Sequence, residues 1–274
     1  MPERVQLFDH PHNDVWCRDH GPIFVKHQTT GEVALTDWEF NAWGGGTTKF
    51  ISTNAASDSI SIKVNNPSGA GSSKVFGGNV GTSFTNANGG GLLLQTNWVD
   101  PALKATLAIT GPVVIEPVAT SFVNDAVNLD SDYTISANPA GLRIGKPGNT
   151  IDVTVGVAVT SSGAIQLYGG NVTANADLKV TNASGLLLKA MDDVVVGAGT
   201  DAATRRVVST FGGPITLWSN ADFSGTGAIV TNNFTSFLSR GAKIMMAGSA
   251  SANESSPTGF AVGSASTTSY KVSA

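Results

Sequence analysis

The chain has 274 residues, of which 41% are hydrophobic, so it is long and apolar enough to bury a core. Only 13% of the residues are charged and the net charge is −4, which excludes the basic footprint expected of a nucleic-acid-binding protein. The low charge and the 32 glycines are typical of secreted β-rich proteins. A single cysteine excludes an intrachain disulfide, and no stretch approaches the ~18 apolar residues of a membrane helix.

The first 50 residues differ in composition from the remainder. They hold all four histidines, the single cysteine and three of the five tryptophans, together with 11 charged residues against 25 in the rest of the chain. Side chains that can act as acids, bases or nucleophiles are therefore concentrated in this segment. Its start contains no apolar run of the kind found in signal peptides, so no export signal is visible.

Two sequence patterns lie in this segment. Residues 13–22 fit N-D-x-W-x-R-D-x-G-P, and residues 37–45 fit D-W-x-F-N-A-W-G-G. Together they resemble the guanidine-modifying deiminases, closest to agmatine deiminase and the bacterial peptidylarginine deiminases. The resemblance implies that residues 1–50 are a short N-terminal fragment of an α/β propeller-type deiminase.

The resemblance also implies a guanidine-binding site at Trp16 and Asp19. A guanidinium group is a planar cation, which carboxylates bind in its plane and aromatic rings bind against its face. Asp19 would supply the carboxylate and Trp16 the aromatic wall, while Asp14 and Arg18 would support them. The alternative is that Trp16 simply packs in a core and Asp19 caps a turn.

The catalytic residues of this family have no counterpart in the sequence. The deiminases use a cysteine thiolate near the C-terminus as nucleophile and a histidine as general acid and base. Cys17 lies at a different position and no histidine follows His27, so we predict no catalytic residue. The histidines also lack partners at zinc-site spacing, and we predict no metal and no cofactor.

Beyond residue 50, short runs alternate apolar and polar residues between turn residues, which is the pattern of half-buried strands. Residues 91–95 repeat at 185–189, and residues 163–168 repeat at 213–218. Such self-similarity predicts a solenoid, in which each coil buries its apolar face against the next. Residues 51–100 form an ambiguous β junction, because their glycine-rich stretches match both the repeat and an element of the deiminases.

Residues 139–248 resemble the repeats of filamentous-haemagglutinin and autotransporter-type adhesins, through stretches at 140–150, 165–171, 214–222 and 225–229. The resemblance implies a right-handed parallel β-helix, which we assign to residues 101–248, so the predicted fold class is mainly β. Residues 249–274 are rich in serine and threonine and are predicted to form a disordered tail.

Two functions from different classes follow. The first is a non-catalytic, adhesin-like β-solenoid at the bacterial surface or outside the cell, with a host glycan or another surface ligand as partner. The second is a cytoplasmic guanidine deiminase, a C–N hydrolase of the agmatine or peptidylarginine type that is active only when missing residues complete it. Because a secreted protein needs an export signal, we interpret the reading frame as truncated or fused.

A third hypothesis is carbohydrate binding on one face of the solenoid. Tyr168, Trp218 and Phe76 occupy corresponding positions in the repeats, and aromatic rings of this kind can stack on sugars. The alternative is that the three rings pack at the edges of the coils. The sequence predicts no nucleic-acid partner and no membrane span.

Overall fold

The computed structural model describes residues 48–64, 82–98, 104–123, 125–197, 205–224, 227–232, 234–252 and 254–259, together with the backbone of four further strands at 23–26, 33–38, 262–265 and 269–273. These residues form strands and turns, with no helix among them. The prediction of a mainly β chain is therefore confirmed. In the same described part, no helix is long and apolar enough to cross a membrane.

The described backbone contains 25 β-strands. In chain order they are β1 (Ile23–Lys26), β2 (Val33–Trp38), β3 (Thr48–Ile51), β4 (Ile60–Val64), β5 (Ser83–Asn86), β6 (Leu92–Thr96), β7 (Ala105–Ile109), β8 (Pro112–Glu116), β9 (Val127–Leu129), β10 (Tyr133–Ile135), β11 (Gly141–Ile144), β12 (Val153–Val155), β13 (Val159–Ser161), β14 (Ile165–Gly169), β15 (Val172–Ala174), β16 (Leu178–Val180), β17 (Leu186–Ala190), β18 (Val194–Val196), β19 (Arg206–Ser209), β20 (Ile215–Ser219), β21 (Ala228–Asn232), β22 (Thr235–Leu238), β23 (Ile244–Gly248), β24 (Val262–Ala265) and β25 (Ser269–Ser273).

The strands form three sheets. The first has 13 strands in the order β1-β2-β3-β5-β7-β10-β9-β12-β15-β18-β21-β25-β24, the second has eight in the order β23-β20-β17-β14-β11-β8-β6-β4, and the third has four in the order β13-β16-β19-β22. Pairing is antiparallel at the two ends of the 13-stranded sheet, among β1, β2 and β3 and among β21, β25 and β24. All the other pairs are parallel.

From β12 onward the chain visits the three sheets in a fixed rotation. Consecutive strands β12, β13 and β14 lie in the 13-, four- and eight-stranded sheets, and the same succession recurs in β15–β17, β18–β20 and β21–β23. In the eight-stranded sheet, one row of paired residues runs through Leu142, Ile165, Leu186, Ile215 and Ile244. Successive members of this row lie 23, 21, 29 and 29 residues apart in the sequence. Each parallel neighbour is thus one circuit of the chain away.

In most of the strands from β3 to β20, alternate residues point into a continuous apolar core. One inward row of the eight-stranded sheet passes in register through Leu92, Val113, Leu142, Ile165, Leu186 and Ile215. Each of these side chains is at most 2% exposed, and each burial stabilises the fold by about 1.5–3 kcal/mol. A slip of one residue would turn the whole row outward, so the alternation of apolar and polar residues determines the register.

The strands on the two sides of residue 100 belong to the same sheets. Phe50, Phe84 and Leu107 are consecutive in one inward row of the 13-stranded sheet, and the rings of Phe50 and Phe84 stack with their centroids 4.9 Å apart. In the eight-stranded sheet, Leu94 of β6 pairs with Ile115 of β8. The described strands of residues 48–98 are therefore continuous with those that follow.

The stretches that repeat in the sequence occupy equivalent positions of the eight-stranded sheet, because Ile165 of β14 and Ile215 of β20 each pair in register with Leu186 of β17. The predicted domain boundaries stay predictions. The predicted deiminase fragment at residues 1–50 lies largely outside the described residues, and the backbone of β24 and β25 falls within the predicted tail at 249–274.

Candidate functional site

The predicted guanidine-binding residues, Trp16 and Asp19, lie outside the described residues. The same holds for the supporting residues Asp14 and Arg18, for Cys17, and for the four histidines. Their roles stay predictions.

One of the two deiminase-like patterns begins within the described backbone. Asp37 and Trp38 end β2, where they pair antiparallel with Lys49 and Thr48 of β3. Strand β3 in turn pairs in parallel with β5. The second pattern is thus joined directly to the first parallel strands.

The outward side of the eight-stranded sheet, which we call the outer face, carries most of the polar and aromatic side chains of this sheet. Its two rows are Ser61, Leu93, Val114, Arg143, Gln166, Leu187, Thr216 and Met245, and then Lys63, Gln95, Glu116, Tyr168, Lys189 and Trp218. Because the strands stack in register, residues from distant parts of the chain become neighbours along each row.

A charged group lies near the middle of the outer face. The Glu116 carboxylate accepts a hydrogen bond from Gln95 Nε2 at 2.7 Å and another from Arg143 Nη2 at 2.7 Å. The Glu116 side chain is 12% exposed, whereas that of Arg143 is 40% exposed. Glu116 is therefore satisfied within the protein, and Arg143 still presents part of its side chain to solvent.

A second group lies on the next strands. The Lys189 ammonium lies 3.5 Å from the ring centroid of Trp218, which is a cation–π contact, and Tyr168 flanks Lys189 on the other side. Burial lowers the pKa of Lys189. Burial also raises the pKa of Tyr168, and the positive charge of Arg143 partly offsets that increase.

Residues 249–252 and 254–259, which we call the covering segment, fold back over the outer face. Trp218 Nε1 donates a hydrogen bond of 2.9 Å to Ser249 Oγ, and Gly259 N donates one to the Gly248 carbonyl oxygen. Glu254 accepts hydrogen bonds from both ends of the segment, from Ala250 N and from Thr258 N and Oγ1. These contacts bury Trp218, which is only 3% exposed although it points outward from the sheet.

A groove of about 270 Å³ separates the covering segment from the outer face. The residues that line it are Ala164, Gln166, Gly185, Leu186, Leu187, Pro214, Thr216, Trp218, Met245, Ser255, Ser256 and Pro257. Its lining combines apolar surface with amide and hydroxyl groups, so it suits a ligand that has both apolar and hydrogen-bonding surfaces. Among the described residues, no group of three or more His, Cys, Asp or Glu could hold a metal ion.

The predicted correspondence of Tyr168 and Trp218 is confirmed, because each pairs with Lys189 in the same outward row. Phe76, the third member of that prediction, lies outside the described residues. The sequence reasoning missed Arg143 and Lys189. Lys189 ends the repeat at 185–189, so its place beside the aromatic positions could have been found from the alternation of that repeat.

Comparison with known proteins relates the N-terminal third of the chain to one family. Residues 1–99 match the family model of the Porphyromonas-type peptidyl-arginine deiminases. This match extends past the two sequence patterns and includes strands β3–β6 of the parallel sheets.

Shorter matches relate the chain to curated proteins. It is 44% identical over 45 residues to the putative agmatine deiminase of Enterococcus faecalis, a match that covers 16% of this chain and 12% of that protein. It is 49% identical over 41 residues to the agmatine deiminase of Pseudomonas savastanoi, covering 15% and 11% respectively. The chain therefore spans about an eighth of the length of these relatives. No solved structure matches the chain.

Proposed function

We propose that the chain binds a guanidine compound through Trp16 and Asp19 and carries this segment on a β-solenoid. The observation that carries the proposal is the match of residues 1–99 to the peptidyl-arginine deiminase model. The names of the shorter relatives support it, because agmatine is itself a guanidine. The family motif assigns the aromatic wall to Trp16 and the carboxylate to Asp19, which are the groups that a planar cation requires.

In this proposal the chain alone binds the guanidine compound but does not hydrolyse it. Deimination requires a thiolate to attack the guanidinium carbon and a general acid to protonate the departing ammonia. Cys17 is the single cysteine of the sequence, and the family motif does not assign the nucleophile to its position. A partner chain that supplied these groups would restore the alternative function, hydrolysis of a guanidine to a urea and ammonia.

The test is calorimetric titration with agmatine and with an arginyl peptide. We expect binding that Asp19→Asn weakens by about tenfold or more, because the change removes a charge-assisted hydrogen bond. Asp222→Asn is the matched control, since Asp222 is exposed and its Oδ1 accepts a hydrogen bond from Ser224 N that asparagine retains. Equal affinities of the two variants would contradict the assignment of the site.

An ammonia assay tests the absence of turnover. We expect no release of ammonia from agmatine or from arginyl peptides. If release is seen and Asp19→Ala abolishes it, the chain is an enzyme and the non-catalytic part of the proposal is wrong. Alkylation of Cys17 would then show whether that thiol is the nucleophile.

The architectural part of the proposal is a right-handed parallel β-helix over residues 101–248. The rotation of β12–β23 through three sheets supports it, because one strand per sheet and per circuit is the path of a chain wound into coils. The in-register apolar rows also support it, since each coil buries its apolar side chains against the next.

The second candidate function is that of a surface adhesin, outside the cell, with a glycan ligand on the outer face. The observation that favours it is the groove lined by Gln166, Thr216 and Trp218 among others, where apolar surface and hydrogen-bonding groups lie together. Screening the chain on a panel of neutral and acidic glycans tests this function, and binding to none of them would exclude it.

A further inference from the structure

Charged side chains are unevenly distributed over the described part of residues 48–259. Its carboxylates lie in turns and loops with the exception of Glu116 in β8, whereas six cations lie in strands: Lys49, Lys63, Arg143, Lys179, Lys189 and Arg206. Three of these cations, Lys63, Arg143 and Lys189, are on the outer face. The outer face is therefore positively charged although the chain as a whole carries a net charge of −4.

The cations of the outer face are only partly neutralised. Glu116 pairs with Nη2 of Arg143, whose side chain stays 40% exposed. Lys189 rests on the ring of Trp218 and has no carboxylate within ion-pair distance among the described residues. An ammonium held against an aromatic face can still donate hydrogen bonds to an anion from outside.

The spacing of these groups suits an extended anionic chain. Arg143 is on β11 and Lys189 is on β17, with β14 between them, so two strand spacings of about 4.8 Å each separate them across the sheet. Gln166 and Tyr168 lie on the intervening strand. Because Arg143 and Lys189 lie in different outward rows, a chain that runs obliquely across the strands would meet a cation, then an amide and an aromatic ring, and then a second cation.

We propose that the outer face binds an acidic polysaccharide that lies across the strands, with its carboxylates or sulfates at Arg143 and Lys189 and its sugar rings against Gln166, Tyr168 and the groove. This inference rests on the second candidate function and names its ligand class. Charge complementarity favours an anion, and the amide, hydroxyl and aromatic groups between the cations favour sugar rings over a phosphodiester backbone. A nucleic acid would also require more cations than this face offers.

The test is calorimetric titration of the full chain at low salt with an oligogalacturonate and with its neutral methyl ester. We expect the acidic form to bind at least about tenfold more tightly, because esterification removes both ion pairs. Binding of the acidic form should also weaken as salt is added.

The variant Lys189→Gln should weaken binding of the oligogalacturonate about tenfold, because it removes one charge-assisted contact. The matched control is Lys179→Gln, which removes an exposed strand lysine from the four-stranded sheet and should leave the affinity unchanged. Arg143→Gln leaves Glu116 without its cation and could destabilise the fold. The double variant Arg143→Gln with Glu116→Gln therefore provides an independent, charge-balanced test and should also weaken binding about tenfold.

Three results would overturn the inference. Equal binding of the acid and its ester would show a neutral-glycan site, which contradicts the inference and leaves the second candidate function standing. Binding of neither would contradict both. Tighter binding of a single-stranded oligonucleotide than of the oligogalacturonate would assign the face to phosphate recognition.

Discussion

At the scale of single residues, Asn149 connects three successive circuits of the chain. Its side chain is fully buried. The Oδ1 atom accepts hydrogen bonds from Ser121 Oγ and Phe122 N, while Nδ2 donates to the carbonyl oxygens of Ile151 and Tyr168 at 2.9 and 2.8 Å. One amide thus satisfies polar groups from the turns after β8 and β11 and from strand β14.

We expect Asn149→Ala to lower the free energy of unfolding by about 2–4 kcal/mol, because it leaves several buried polar groups without partners. Urea unfolding followed by circular dichroism measures the change. The control is Asn138→Ala, since Asn138 is exposed and its side chain makes no hydrogen bond to the residues that the structure describes. Its effect should stay within about 0.5 kcal/mol. Equal unfolding midpoints for the two variants would show that the Asn149 network adds nothing to stability.

At the scale of elements, the strands could be predicted from their alternating apolar and polar residues. The position of the covering segment over the outer face could not be predicted. Leu186 and Leu188 alternate with Leu187 and Lys189, and the repeat with β14 and β20 indicates which positions are neighbours. The burial of Trp218 depends on Ser249, 31 residues away, and a contact of this kind leaves no local pattern. Lys189 differs from Trp218 in this respect, because the alternation of the repeat at 185–189 already places it beside the aromatic positions.

Hydrogen bonds to the Glu254 carboxylate hold the covering segment in its folded-back shape. They come first from the Thr258 hydroxyl, and also from the Ser251 hydroxyl and the amides of Thr258 and Ala250. The same bonds lower the pKa of this exposed carboxyl below its usual value of 4.5. Because the folded-state pKa is lowered, the stability that Glu254 gives to the covering segment is present above pH 4.5. This stability is lost as the pH falls through the lowered pKa of Glu254.

We expect Glu254→Ala to speed hydrogen exchange at the amides of Ala250 and Thr258, while the amides of buried strands such as β17 are unaffected. Hydrogen exchange followed by mass spectrometry measures both. Glu254→Gln is the matched variant, because it keeps the acceptor oxygen but loses the charge and one acceptor. Its effect should therefore lie between those of the wild type and Glu254→Ala. Unchanged exchange in both variants would mean that other contacts hold the segment.

At the scale of the whole molecule, composition predicted a change near residue 50, and two overlapping sequence likenesses predicted the boundary near residue 100. Residues 88–96 resemble both the deiminases and the repeat, and local sequence alone could not separate these alternatives. The pairing of β6 with β8 places those residues in the stacked sheets, while the family match also includes them. The roles of Trp16 and Asp19 were inferred from family motifs, and the described structure adds no geometry for them.

We expect limited proteolysis to leave the described strands on the two sides of residue 100 equally protected, because Phe50, Phe84 and Leu107 share one buried row. Strands that pair with each other protect one another, because opening of one exposes the edges of its neighbours. Digestion with a protease of broad specificity, followed by mass mapping of the fragments, checks this prediction. A stable fragment that begins near residue 100 would show instead that the parallel stack folds independently of the segment before it.

The in-register rows also limit how such a chain can change in length. One residue added within β17 would turn Leu186 or Leu188 toward solvent. A whole circuit, such as the 21 residues from Ile165 to Leu186, ends at the equivalent position of the next strand, so duplicating or deleting it preserves every row. Related sequences should therefore differ by complete circuits, and each added circuit would lengthen the outer face by one strand width.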